Sequence, residues 1–204
     1  MDDWKKVLKK IWLFIWEDNS IWSWLVNLVL AFVLIKFIVY PGLGFMLSTT
    51  HPVVAVVSES MEHNSNFDSW WVKSESWYSN NGISKEAFEK FPLKNGFNKG
   101  DIIVLKGKKP ENIEIGNVIV FWSSKRDPII HRVVKKWQEN DLYYFQTKGD
   151  NNPGMLRTPS VDETMISQEQ IVGNAVFKIP LLGWIKIIVV KVWDIVIGFV
   201  LQKG

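Results

Sequence analysis

Two hydroxyls, one imidazole and two carboxylates are the groups in this chain whose types and order could do chemistry together. Ser58 and Ser60 stand two apart in Val56-Val57-Ser58-Glu59-Ser60-Met61. On an extended backbone residues two apart face the same side. One hydroxyl can then attack a carbonyl while the other, with a backbone N–H, bonds the oxyanion that forms. A serine is a weak nucleophile until a base takes its proton, and the base needs a partner that fixes its tautomer. Histidine is the usual general base of such chemistry, and His131 lies inside a β-branched run, which makes it the natural candidate. Asp150, in the turn Gly149-Asp150-Asn151-Asn152-Pro153, and Asp162, in a polar loop ahead of the last strand, are the two carboxylates that could orient it. The chemistry such a set supports is acyl transfer through a covalent intermediate. Each residue also has a structural reading: a turn serine, a hydrogen-bonded strand histidine, an Asx turn at Asp150 and a solvated Asp162. His63, three residues from Ser60, competes with His131 on spacing alone.

Other chemistries are excluded. The 204 residues contain no cysteine, so thiolate nucleophiles, disulfides and thiolate zinc sites are absent. Three histidines leave little for a histidine-rich metal centre, and no P-loop, dinucleotide glycine fingerprint, His-Glu-x-x-His helix or calcium loop occurs, so no metal or organic cofactor is implied. A net charge of +3 with scattered basic residues argues against nucleic acid.

The positioning elements follow from hydrophobic patterning. Residues 1–20 place Trp4, Leu8, Ile11, Trp12, Ile15 and Trp16 at helical spacing with lysines opposite, which predicts an amphipathic helix on the cytoplasmic side. Residues 21–47 form a transmembrane anchor, long enough to cross a hydrocarbon core of roughly 30 Å, with Pro41-Gly42-Leu43-Gly44 expected to break the helix at its exit. It does not read as a cleaved signal peptide, because acids precede it and no small-x-small site follows. Residues 48–179 turn to β texture: Pro52–Ser58, Asp101–Lys106, Asn117–Trp122, Ile129–Trp137, Leu142–Lys148 and Ile171–Ile179 predict six short strands, hence a mainly β, antiparallel barrel or sandwich. An insertion at 64–98 carries one helix with Trp70, Trp71, Trp77 and Tyr78 on a single stripe, and a second short helix over Ser84–Phe91. The stripe either packs on the β-domain or lies in the membrane interface. Residues 180–204 predict a C-terminal apolar helix, spanning or lying on the membrane, whose Lys186, Lys191 and Asp194 share one polar arc.

Taken jointly, Val57-Ser58-Glu59-Ser60-Met61-Glu62, Lys99-Gly100-Asp101-Ile102-Ile103-Val104, Gly116-Asn117-Val118-Ile119-Val120-Phe121, Ile130-His131-Arg132-Val133, Thr147-Lys148-Gly149-Asp150-Asn151-Asn152 and Gln170-Ile171-Val172-Gly173 resemble, in order, the type I signal peptidases of the archaeal and endoplasmic-reticulum branch. The resemblance covers roughly residues 20–185. It implies Ser60 as nucleophile, Ser58 at the oxyanion position and His131 where bacterial members carry a lysine base. Asp150 matches the acid of the Gly-Asp-Asn turn, and Asp162 takes the place of the triad aspartate if residues around 155–160 are an insertion. It implies a serine endopeptidase in the cell membrane, with a cytoplasmic N-terminus and an extracytoplasmic catalytic domain. Its partners would be signal-peptide-bearing pre-proteins, the lipid bilayer and the protein translocation channel. Two other readings stand beside it: a peptidase of narrower range, acting on pilin-like or surface-layer precursors, and a non-catalytic anchored β-domain in a secretion complex. The chain departs from the family at His63, where a proline is common, in the long 64–98 insertion and in the widened 151–161 loop.

Overall fold

The computed structural model describes residues 3–125, 127–185 and 187–191, and these form two compact units, 1–46 and 47–204. In the first, α1 (Asp3–Trp16) turns through Asp18 and Ser20 into α2 (Ile21–Leu34). Ser20 caps α2 by accepting the Ser23 N–H at 3.2 Å. The two polar residues of α2 serve α1. The Ser23 hydroxyl donates to the Phe14 carbonyl at 2.5 Å and the Asn27 amide donates to the Ile15 carbonyl at 2.8 Å. Both carbonyls belong to the last turn of α1, which has no intrahelical donors of its own. Past α2 the helix does not break at Pro41. It passes through a π-turn (Ile35–Val39) into α3 (Tyr40–Leu47), giving 27 continuous helical residues that include an 18-residue stretch with a mean hydropathy of 2.2. The wider turn shifts the hydrogen-bond register just where proline withholds its N–H, so the expected interruption becomes a bulge.

The second unit is built on one antiparallel sheet. Its strands are β1 (Val53–Ala55), β2 (Ile102–Lys106), β3 (Val118–Phe121), β4 (Ile129–Glu139), β5 (Leu142–Lys148), β8 (Ile166–Ser167) and β9 (Ile171–Ile179), in the order β1-β2-β9-β3-β4-β5-β8. A separate ribbon pairs β6 (Arg157–Thr158) with β7 (Val161–Asp162). The mainly β, antiparallel architecture is the one expected, with all six predicted strands present. Side chains alternate between two faces. Val118 and Val120 of β3 join Val56, Met61, Phe97, Ile103 and Leu105 in one core, whereas Ile119 and Phe121 join Val133, Phe145 and Ile166 in another.

The 64–98 segment contributes α4 (Phe67–Asn80), capped by Asn66, and α5 (Lys85–Phe88), capped by Ser84. Trp70, Trp71 and Tyr78 are buried with Ile83, Phe88 and Val134, and Trp77 packs at their edge. The aromatic stripe therefore packs on the β-unit. Val134 reaches this cluster because it shares a face with Arg132, two residues before it, whose guanidinium lies over Phe88. After β9 the chain folds onto the Asn98–Asp101 turn: Gly183 N–H donates to the Gly100 carbonyl at 2.7 Å, and Trp184 covers Gly100, where a Cβ would lie 2.1 Å from the indole. Residues 184, 185 and 187–191 are helical. The rest of the expected C-terminal helix, with Lys186 and Asp194, lies outside the described residues.

Candidate active site

Residues 131 and 132 of β4 project to opposite faces, and each anchors a separate polar network. On one face the buried His131 ring meets a carboxylate through Nδ1, and that carboxylate is Glu163. Glu163 is itself fully buried. Its Oε1 also accepts the Thr147 hydroxyl at 2.8 Å and its Oε2 accepts the Leu156 N–H at 2.6 Å. Three donors converge on an acceptor, so the ring hydrogen sits on Nδ1 and the Nε2 lone pair is left facing the other way. There Gly149 comes close: a Cβ on it would stand 2.8 Å from His131 Nε2, 2.8 Å from the Ser60 carbonyl oxygen and 2.7 Å from the Asn152 amide nitrogen. Only a residue without a side chain fits between the base and the serine segment.

Ser60 is held from both sides. Met61 is buried and accepts the Phe97 N–H through its carbonyl at 3.1 Å. The Asn151 N–H donates to the Ser60 carbonyl at 2.8 Å, and the Asn151 amide donates to the Glu59 carbonyl at 3.1 Å. The Ser58 and Ser60 hydroxyls lie 3.1 Å apart on a turn that follows β1, not on an extended strand. Both line, with His131, Ile129, Asn152 and Leu156, an open cleft of about 330 Å³. In this structure the Ser60 hydroxyl bonds Ser58 and not the imidazole.

The two sequence-predicted aspartates are elsewhere. Asp162 is exposed, and its Oδ1 accepts the N–H and hydroxyl of Thr164 at 2.9 and 2.6 Å. Asp150 is buried on the opposite face in the second network. Arg132 grips it with Nε to Oδ1 at 2.9 Å and Nη2 to Oδ2 at 2.7 Å. Tyr78 donates to it at 2.9 Å and His63 Nε2 at 3.0 Å. Burial alone would raise the Asp150 pKa, but the guanidinium and these donors hold it well below the usual carboxylate range. The remaining Arg132 donors reach the carbonyls of Pro92, Leu93 and Gly116, and the guanidinium lies over the Phe88 ring. Lys148 belongs to this face as well. Its amine donates to the Gly149 and Asp150 carbonyls and lies over Trp77 and Tyr78, and burial pushes its pKa down to about 8 against the pull of Asp150 and Glu163. His63 is stacked on Trp70 at 3.8 Å and committed to Asp150. It is part of the scaffold behind the turn and does not line the serine cleft. His51 bonds Thr50 and meets the edge of Trp122.

Glu163 is the residue that the sequence reading missed. In the structure Val161 and Glu163 are buried and Asp162 between them is exposed, so the two adjacent acids face opposite sides. A one-residue displacement along a strand moves a side chain to the other face. Among the described residues no group of three or more His, Cys, Asp or Glu side chains could hold a metal ion.

An antiparallel β-unit that brings a serine hydroxyl and a carboxylate-bonded imidazole to one cleft fits the Ser-His class of hydrolases. Comparison with known proteins is more specific. The chain is 26% identical over 155 residues to the signal peptidase complex catalytic subunit SEC11 of Colletotrichum graminicola, covering 74% of this chain and 72% of the relative. It is 26% identical over 158 residues to the protein of the same name from Scheffersomyces stipitis, covering 76% and 75%. To human SEC11C it is 31% identical over 102 residues, covering 47% and 52%. No family model matches the chain.

Proposed function

We propose that this chain is a membrane-anchored serine endopeptidase that removes signal peptides from secretory pre-proteins. The observation that carries the reading is the His131 ring, fixed by Glu163 at Nδ1 and lining one cleft with Ser60 and Ser58, in a chain similar along most of its length to signal peptidase catalytic subunits.

The mechanism is acyl transfer. His131 Nε2 takes the Ser60 proton as Oγ attacks the scissile carbonyl, and the imidazolium that forms is stabilised by Glu163. The Ser58 hydroxyl and the Ser60 N–H hold the oxyanion. His131 then protonates the leaving amine, and water, activated by the same ring, hydrolyses the ester. In free enzymes such hydrogen bonds are often long and tighten on substrate binding, which accommodates the Ser60 hydroxyl resting on Ser58. Glu163 takes the orienting role that the sequence left between Asp150 and Asp162. Asp150 instead braces the turn that holds Ser60 and Gly149.

The Ser-His pairing favours the archaeal and endoplasmic-reticulum branch over the lysine-based one. The four lysines ahead of the 27-residue apolar helix favour a cytoplasmic N-terminus and an extracytoplasmic β-unit. Pre-proteins emerging from a translocation channel are the substrates that such an arrangement serves. The test is direct: detergent-solubilised protein is incubated with a labelled pre-protein and the new N-terminus is sequenced. Cleavage after the signal peptide by the wild type and none by Ser60→Ala is the expected result. Equal processing by both would refute the reading.

A further inference from the structure

Behind the Asn152 wall of the serine cleft lies a second cavity, of about 270 Å³, which the mechanism above does not use. Lys73, Ser74 and Trp77 of α4 line it together with Lys148 and residues 150–153 of the turn, and the Lys148 amine lies over the Trp77 ring. Asn152 lines both hollows. The charge inside is positive. The one carboxylate on the wall, Asp150, is already saturated by Arg132, Tyr78 and His63. The buried Lys148 meets only carbonyls and aromatic faces, and Lys73, exposed at the rim, makes no ion pair among the described residues. Two ammonium groups, an amide, a hydroxyl and an indole face around a hollow of this size suit a carboxylate side chain, whose charge-assisted hydrogen bonds are the strong kind.

We propose that this cavity is a substrate subsite for an acidic residue close to the scissile bond, built by the 64–98 insertion. The inference rests on the peptidase reading. A peptide lying in the serine cleft passes Asn152, so a glutamate within a few residues of the cut can reach over that wall to Lys73 and Lys148.

The test uses one pre-protein sequence with Glu or Gln placed in turn at each of the positions from three before to three after the cut. At one position the wild type should cleave the Glu form about five- to twentyfold more efficiently than the Gln form, as kcat/KM, and the ratio should shrink with added salt. Lys73→Gln should bring that ratio towards one. In the Ser60→Ala protein the same Glu and Gln peptides are compared by equilibrium binding, which reads the subsite without turnover. Equal rates and affinities for Glu and Gln at every position, or a ratio unmoved by Lys73→Gln, would overturn the subsite. Cleavage of the Gln series by wild type but not by Ser60→Ala would leave the peptidase reading standing in that event. Absence of any Ser60-dependent cleavage would remove that reading, and with it the inference.

Discussion

At the scale of single residues, the contact between His131 and Glu163 decides the chemistry. Glu163→Gln replaces an acceptor with a group that can present its amide to Nδ1. The ring is then driven to the tautomer whose Nε2 carries the hydrogen and cannot accept one from Ser60. We expect kcat to fall by about 10⁴-fold, whereas Asp162→Asn, at an exposed position bonded to Thr164, should stay within about twofold of wild type. Pre-protein cleavage rates of the two variants check this, and the reverse ranking would return the orienting role to Asp162. The nucleophile and base candidates were legible in the sequence because few residues compete for either role. The orienting carboxylate was not. Asp162 and Glu163 are adjacent acids, and only the register of the short β6–β7 ribbon and the loop behind it tells which one turns inward.

At the scale of elements, strands β4 and β5 carry two polar systems back to back. Arg132 pairs in register with Lys148, and Val133 with Thr147, so one face serves the imidazole and the other braces the Gly149–Asn152 turn. Asp150→Asn removes the charge facing a fully buried guanidinium. It should cost about 3–5 kcal/mol of stability, read as a lowered thermal midpoint in detergent. The folded pKa of Asp150 lies below its ordinary 3.8. Its stabilisation is therefore present above that value and is lost as pH falls. Lys148 shifts stability in the same direction, in a higher pH range. Buried, it loses its proton at about 8 instead of 10.5. Between those values the unfolded chain binds more protons, and the contribution of Lys148 to stability rises with pH. Thermal midpoints at pH 7.5 and 9.5 should show this increment in the wild type, and Lys148→Met should lack it. The strands themselves were readable from β-branched runs between turn residues. The inward packing of α4 was not, because a stripe of tryptophans suits a lipid interface and a protein core equally well. Val134, on the same face of β4 as Arg132, completes the core that receives it.

At the scale of the whole molecule, a 27-residue apolar helix precedes the catalytic unit in one chain. Alkaline carbonate washing of membranes should leave the protein in the pellet, and its release would contradict a spanning anchor. The length and composition of that helix were plain in the sequence, but its π-turn was not, because proline in a helix reads as an end until a register shift accommodates it. The account as a whole turns on Ser60 acting as a nucleophile. Mixing the protein with a pre-protein, quenching with acid within the first turnover and mapping the adduct by mass spectrometry tests this most directly. The signal-peptide acyl group should be found esterified to Ser60, and it should fail to form in His131→Ala. An adduct on any other residue, or undiminished cleavage by Ser60→Ala, would contradict the account.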